Sequence, residues 1–238
     1  MNPAALAVIA ILLFGQTSGE QFFEGVTPGL SGIFAPLSSS YLRHKEFSIS
    51  VSSVLSPYEV FPYNNRAVSP ALFGEFGVGF FERFNVLLKV GTYPKNETEK
   101  RVTLLGAGLR LSILKNEKRE HLSVLLSYNQ LRDLKFHPQD PNFTAQYSRL
   151  SNINGRVELN KKFLWIFFGL GLGYQYNFID GRYWQEAAGD DVTDFDENLG
   201  YFLGNVNVEK RFSWFGFGLG ISVSKNFPVF NARLSFYR

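Results

Sequence analysis

The sequence predicts an all-β chain whose strands close into one antiparallel up-and-down transmembrane β-barrel of about ten strands, within roughly 8–12. Three observations carry this. From Glu46 to Arg238 the side chains alternate with period two, the repeat that sends neighbouring residues to opposite faces of a strand. One face is Leu, Val, Ile and Phe; the other is Gly, Ser and Asn with isolated charges. The connections alternate between short turns and longer polar loops.

Each element follows from the alternation. The first strand is Phe47-Ser-Ile-Ser-Val-Ser, apolar on one face and Ser on the other. The second runs Ala71 to Phe81, with Phe76, Val78 and Phe80 against Glu75, Gly77 and Gly79. The third, Phe84 to Thr92, sets Phe84, Val86, Leu88 and Val90 against Asn85, Leu87, Lys89 and Gly91. In the fourth, Leu105, Ala107, Leu109, Leu111 and Ile113 oppose Gly106, Gly108, Arg110 and Ser112. The fifth sets Leu122, Val124, Leu126 and Tyr128 against Ser123, Leu125, Ser127 and Asn129. The sixth has Ser151, Ile153, Val157 and Leu159 facing away from Asn152, Asn154, Arg156 and Glu158.

The seventh places Ile166, Phe168, Leu170, Leu172, Tyr174 and Tyr176 opposite Phe167, Gly169, Gly171, Gly173 and Gln175. The eighth has Phe202, Val206 and Val208 against Leu203, Asn205, Asn207 and Glu209. In the ninth, Phe215, Phe217, Leu219, Ile221 and Val223 oppose Gly and Ser. The tenth ends the chain, with Phe230, Ala232, Leu234 and Phe236 against Asn231, Arg233 and Ser235. Most are long enough to cross a bilayer when tilted.

Tight turns are expected at Glu82-Arg83, Lys161-Lys162 and Lys210-Arg211, with a short link from Lys115 to Glu120. Longer loops are expected at Ser56–Pro70, Pro94–Glu99, Arg132–Thr144 and Ile179–Glu197. Short turns on one side and long loops on the other is the pattern of an outer-membrane barrel. With about ten strands, both termini fall on the short-turn, periplasmic side.

Composition agrees. Only 19% of the 238 residues are charged, while aromatics reach 16% with 25 Phe. A soluble domain of this size struggles to bury that many rings, whereas lipid accepts them. A net charge of +3 with scattered Lys and Arg argues against nucleic acid. The absence of Cys excludes disulfides, thiolate metal sites and Cys nucleophiles.

The N-terminus carries an apolar run from Ala4 to Phe14, then small residues up to Gly19. That is too short to span a membrane as a helix, and residues 1–19 are expected to be a signal peptide. Residues 20–45, with Pro28, Pro36 and Ser38-Ser-Ser40, are expected to be a periplasmic segment, a plug or an extra edge strand.

A soluble barrel inverts the observed pattern, with apolar residues inside and Lys, Glu and Asp outside. A Gly, Ser and Asn face coats a soluble protein poorly but lines a narrow lumen well. Strands in lipid must satisfy every backbone group, so they have to close. Aromatics near strand ends, namely Tyr93, Tyr128, Trp165, Tyr174, Tyr176, Tyr201, Trp214 and Tyr237, are expected to form interfacial girdles.

From Glu46 to Arg238 the chain resembles the broad class of small bacterial outer-membrane β-barrel proteins. The resemblance rests on architecture. Members usually end on an aromatic residue that the assembly machinery recognises; here Tyr237 and Arg238 follow Phe236. It implies residence in the outer membrane, lipid, lipopolysaccharide and the barrel-assembly machinery as partners, a monomer, and no cofactor.

Candidate site residues are few. Glu75, Lys89, Arg110, Arg156, Glu158, Glu209 and Arg233 are expected to face the lumen, where charges must be paired or wet. They are read as a cross-lumen network, with a selective polar pathway as the alternative. Asp191, Asp194, Asp196 and Glu197 are a weak Ca²⁺ candidate in a loop from Asp180 to Glu197, and no metal is expected. Gly169-Leu-Gly-Leu-Gly173 and Gly216-Phe-Gly-Leu-Gly220 lack nucleotide-loop spacing and sit inside strands. His137 and Asp140 share one outer loop, and Tyr147-Ser-Arg-Leu-Ser-Asn152 offers Ser without His. Neither completes the site of the barrel proteases or barrel lipid deacylases. The expected function is a non-enzymatic envelope role: structural, narrow-pore or surface-binding. The alternatives are a barrel-embedded protease or lipid hydrolase and a soluble secreted barrel for an apolar ligand.

Overall fold

Ten strands follow one another and pair in order until the last meets the first. They are β1 (Phe47–Val60), β2 (Asn65–Phe80), β3 (Phe84–Thr92), β4 (Thr103–Asn116), β5 (Glu120–Phe136), β6 (Phe143–Phe163), β7 (Ile166–Gln185), β8 (Thr193–Arg211), β9 (Phe215–Ser224) and β10 (Phe227–Tyr237). All pairings are antiparallel and the sheet is a closed barrel. The computed structural model describes residues 23, 24, 26–28, 30, 34, 42–60, 65–81, 83–92, 103–116, 120–136, 143–185, 192–224 and 227–238. The expected signal peptide lies outside the described residues, as do His137, Asp140, Asp191 and Tyr93.

Closure is made at the β1–β10 seam, where Ser48 pairs Tyr237 and Leu55 pairs Phe230. Phe47 N–H donates to the Arg238 carbonyl at 2.8 Å, and Arg238 N–H returns to Phe47 at 3.0 Å. The residues that follow Phe236 therefore extend the seam. Tracing the pairing from Ser50 through β2 reaches Leu199 on β8, and from Ser50 through β10 reaches Arg211. That stagger of twelve residues tilts the strands by about 40° and makes a wall roughly 20 Å across. Once wall side chains are subtracted, the lumen has room for about one helix or one extended chain.

The alternation read from the sequence holds through the lower barrel. Phe168, Leu170, Leu172, Tyr174, Tyr176 and Phe178 of β7 are exposed, while Gln175 and Asn177 are buried. Among the described residues no helix is long and apolar enough to cross a membrane; the strands carry the apolar surface. At the turn end, Phe81, Trp165, Phe212 and Trp214 are exposed, and Lys210 lays its ammonium 4.1 Å from the centre of the Trp165 ring. Two of the expected girdle residues are corrected. Tyr201 and Tyr237 are buried because their positions share parity with Leu203 and Arg233, so they point inward.

Two of the expected turns are also displaced. Strand β6 continues through Lys161 and Lys162, and the turn is Leu164-Trp165, with Leu164 at φ 55°. Similarly β8 includes Lys210 and Arg211, and the turn is Phe212 to Trp214. Three of the four expected loops are shorter than the sequence suggested. Only residues 61–64 separate β1 from β2, 137–142 separate β5 from β6, and 186–192 separate β7 from β8.

The reason is a reversal of phase. Strands β6, β7 and β8 have 21, 20 and 19 residues, about twice what a bilayer needs. Past Phe178 the outward residues of β7 become Asp180 and Arg182, and the inward ones become Ile179 and Tyr183. The upper wall is thus apolar inside and polar outside. There is now a core to bury.

That core includes part of the chain before β1. Phe23, Val26, Leu30 and Phe34 have helical backbone and are buried in one cluster with Val54, Phe73, Leu104, Leu131, Tyr147, Leu150, Ile179 and Phe195 of the wall. Phe23 stacks on Phe195 and meets Tyr147 edge-on at 4.8 Å between centroids. Thr27 Oγ1 lies 3.1 Å from the Tyr147 hydroxyl. At the opposite, turn end, Asn85 Nδ2 donates to the Leu42 carbonyl at 2.9 Å, and Lys45 N–H donates to the Gly79 carbonyl at 3.0 Å. A Cβ on Gly79 would collide with the Arg43 carbonyl, so this close approach requires glycine.

Candidate functional site

The lumen is the only concave polar region that the sequence singled out, and β2, β3, β4, β6, β8 and β10 deliver its charges. All seven expected lumen residues are buried. Allowing for the slant of the strands, the pairing registers put them in one belt toward the turn end.

Ion pairs join six of them into two groups. In the first, Glu158 forms ion pairs with Arg110 Nη2 at 2.8 Å and with Arg156 Nη2 at 2.5 Å. In the second, Arg233 pairs with Glu209, reaches Glu75 at 3.8 Å, and Glu209 also accepts from the Tyr237 hydroxyl. Lys89, the seventh, sits opposite Glu75 in register. Its ammonium lies 4.2 Å from the Phe73 ring centre and 3.5 Å from the Phe34 carbonyl. Sequence reasoning did not assign Tyr237 to this group, although its parity with Arg233 was the available signal.

A second set of polar groups climbs the β4–β8 side of the lumen above the belt. Asn152 Nδ2 donates to Asn177 Oδ1 at 2.8 Å, and Asn177 Nδ2 to the Leu199 carbonyl at 3.0 Å. Gln175 Nε2 donates to Ser224 Oγ at 2.8 Å. Neighbouring groups find no protein partner: both polar atoms of Asn154, Asn129 Nδ2, Asn205 Oδ1, Asn207 Oδ1 and the hydroxyls of Ser112, Ser123 and Ser127. Buried amides and hydroxyls are tolerated only when water or a ligand satisfies them. Small inward residues make the room. Gly171 faces Asn205, whose amide occupies the space a Cβ would need.

The described members of the acidic set do not converge. Asp194 and Asp196 are exposed on the outer face, whereas Glu197 points inward beside Ile179 as its register partner. Among the described residues no group of three or more His, Cys, Asp or Glu is placed to hold a metal ion. His44 is exposed and stacks near Phe81, and His121 lies at the turn end opposite Lys115.

No protein-family model and no curated protein matches the chain. Solved structures do. The translocator domain of the autotransporter NalP from Neisseria meningitidis aligns over 94% of this chain and 97% of its own, with TM-score 0.50 and 8% identity. This chain has the outer-membrane β-barrel fold. Ail, the attachment invasion locus protein of Yersinia pestis, covers 82% of this chain and 99% of its own at TM-score 0.38 and 9% identity. Omp33 of Acinetobacter baumannii covers 83% and 99% at TM-score 0.34 and 9% identity. At such identities the likeness concerns the fold of the outer-membrane barrel alone, and its place in the outer membrane agrees with the apolar outer band.

Proposed function

We propose that this outer-membrane barrel is non-enzymatic and forms a narrow polar passage that its own N-terminal stretch keeps closed. The observation that supports this is the division of the lumen. The belt and the amide-lined wall are polar, and several of their groups need water. The loop-end half is sealed by the apolar cluster of Phe23, Val26, Leu30 and Phe34 against the wall. A barrel whose lumen served only as a packed core has no use for unsatisfied amides, which cost stability. The roughly 20 Å wall with a chain inside it argues against a wide diffusion pore. The lumen carboxylates Glu75, Glu158 and Glu209 each face a guanidinium group, as expected of a paired polar lining.

The upper wall supports a surface-binding role as well. Strands β6–β8 run past the lipid band and present Arg149, Asp180, Asp194 and Asp196 to solvent.

Leu30→Asp tests the closed passage in planar bilayers. A carboxylate in the apolar cluster costs at least about 3 kcal/mol, enough to shift a seated stretch toward release by roughly a hundredfold. The wild type should rest closed and Leu30→Asp should show sustained conductance steps. Two traces that match each other, both silent or both conducting, would contradict the proposal.

A further inference from the structure

We infer that the upper edge of β8 is a docking site for a cationic, extended segment of another protein, which joins the wall as an added strand at the outer surface. This rests on the surface-binding reading of the upper wall given above and names the partner.

The edge follows from the registers. Strand β8 runs Thr193–Arg211, and β7 pairs with it from Thr193 to Lys210. Strand β9 pairs only with Leu203 to Arg211. It goes no further, because Ser224 and Phe227 are register partners and the chain has reversed into β10 between them. Among the described residues, no strand pairs with Thr193 to Phe202 on the side away from β7. Beyond the hairpin, β10 pairs with β1 only as far as Leu55, while β1 continues beside β2 to Val60. The wall therefore carries a notch above the β9–β10 hairpin, three strand spacings or about 14 Å wide. That leaves room for an added strand. A row of backbone N–H and C=O groups along a sheet edge is the template for one.

Charge selects the strand. Asp194 and Asp196 are exposed on the outer face of this edge, and Glu197 lies on its inner face. Glu24, exposed at the loop end, and Glu197 both act electrostatically on the Tyr201 hydroxyl, so they share this neighbourhood. Between Thr193 and Phe202 the sequence has no Lys or Arg. Arg182, the register partner of Asp194, turns its guanidinium to Gln146 Oε1 of β6 at 3.2 Å, away from the edge. A second copy of this edge would set carboxylates against carboxylates, which is unfavourable. The chain's own N-terminal stretch has no Lys or Arg before Arg43, and Phe23 and Phe34 are committed to the core inside the barrel. A partner with Lys or Arg at alternate positions meets Asp194 and Asp196 on one face. Its intervening apolar residues cover Leu199, partly buried against the core, on the other.

The test uses the folded full-length barrel in detergent and a short fluorescent peptide that alternates Lys with Val, followed by anisotropy. This peptide should bind, and its counterpart with Glu for Lys should not. N-methylation along the barrel-facing edge of the peptide removes its main-chain donors while keeping every charge, and should abolish binding. Asp194→Asn together with Asp196→Asn should weaken binding about tenfold, the loss expected for two cross-strand ion pairs. The chain has no cysteine, so Asn198→Cys should form a disulfide with a Cys-bearing peptide, while Ser213→Cys at the exposed turn end should not. No binding by the Lys peptide, or equal binding by the Glu peptide, overturns the inference. A disulfide between two Asn198→Cys barrels with no peptide present overturns it in favour of a second copy. Binding that tolerates N-methylation overturns the strand edge yet leaves the upper wall a binding surface, so the two readings fail separately.

Discussion

Glu158→Gln should lower the temperature of heat modification by about 10 °C. Glu158 sits between Arg110 and Arg156, at 2.8 and 2.5 Å, and all three side chains are almost inaccessible. Neutralising it leaves two guanidinium groups facing each other with no carboxylate between them. Breaking a buried pair by removing one partner costs about 3–5 kcal/mol, and each kcal/mol corresponds to roughly 2–4 °C at this chain length. Adding Arg156→Gln should recover most of the loss, because Arg110 then has no like-charged neighbour at that carboxylate position. A shift below about 3 °C in the single variant would show that water screens the pair and that the belt is not a stabilising device.

Leu172→Arg should be the most damaging single change on the outer wall. Leu172 is 68% exposed near the middle of the apolar run from Phe168 to Phe178. An Arg at the bilayer midplane of a barrel costs about 2–4 kcal/mol, falling toward zero at the interfaces. Asp196→Arg is the matched control, on β8 and also outward-facing but past the phase reversal. It faces Asp180 across the β7–β8 pair, where like charges repel, so the change should be neutral or slightly favourable. Refolding yield into lipid vesicles measures both. Equal yields for the two variants would mean that the lipid band does not end near Phe178.

The alternation of the lower barrel was legible in the sequence because two physical demands act on it at once. Lipid requires apolar residues outside, and a narrow lumen requires small or paired residues inside, so Phe168 to Gln175 alternates without exception. The seven charges were found by the same parity. The upper barrel was misread as loops because its demands reverse. Ile179 and Tyr183 point inward and Asp180 and Arg182 outward, so the lipid-facing signal stops while the strand does not. Two of the turns were misplaced for a related reason. Lys161, Lys162, Lys210 and Arg211 look like loop residues, yet they sit on strand ends where their charges reach the water beyond the band. Nothing local in Phe23, Val26, Leu30 or Phe34 says that they lie inside a barrel. Their partners, such as Tyr147 and Phe195, are more than a hundred residues away in the chain, and no periodicity reports such a contact.

Closure of the lumen by the N-terminal stretch is tested most directly by thiol labelling at Phe34. The chain has no cysteine, so Phe34→Cys gives one thiol, and Arg43→Cys gives an exposed reference outside β1. The folded barrel would be treated with a bulky water-soluble maleimide and the rate of modification followed by mass. With Phe34 seated against Lys89 and Phe73, labelling at 34 should run about a hundredfold slower than at 43, and the two rates should converge on unfolding. Equal rates in the folded state would contradict a stretch held inside the barrel, and with it the closed passage.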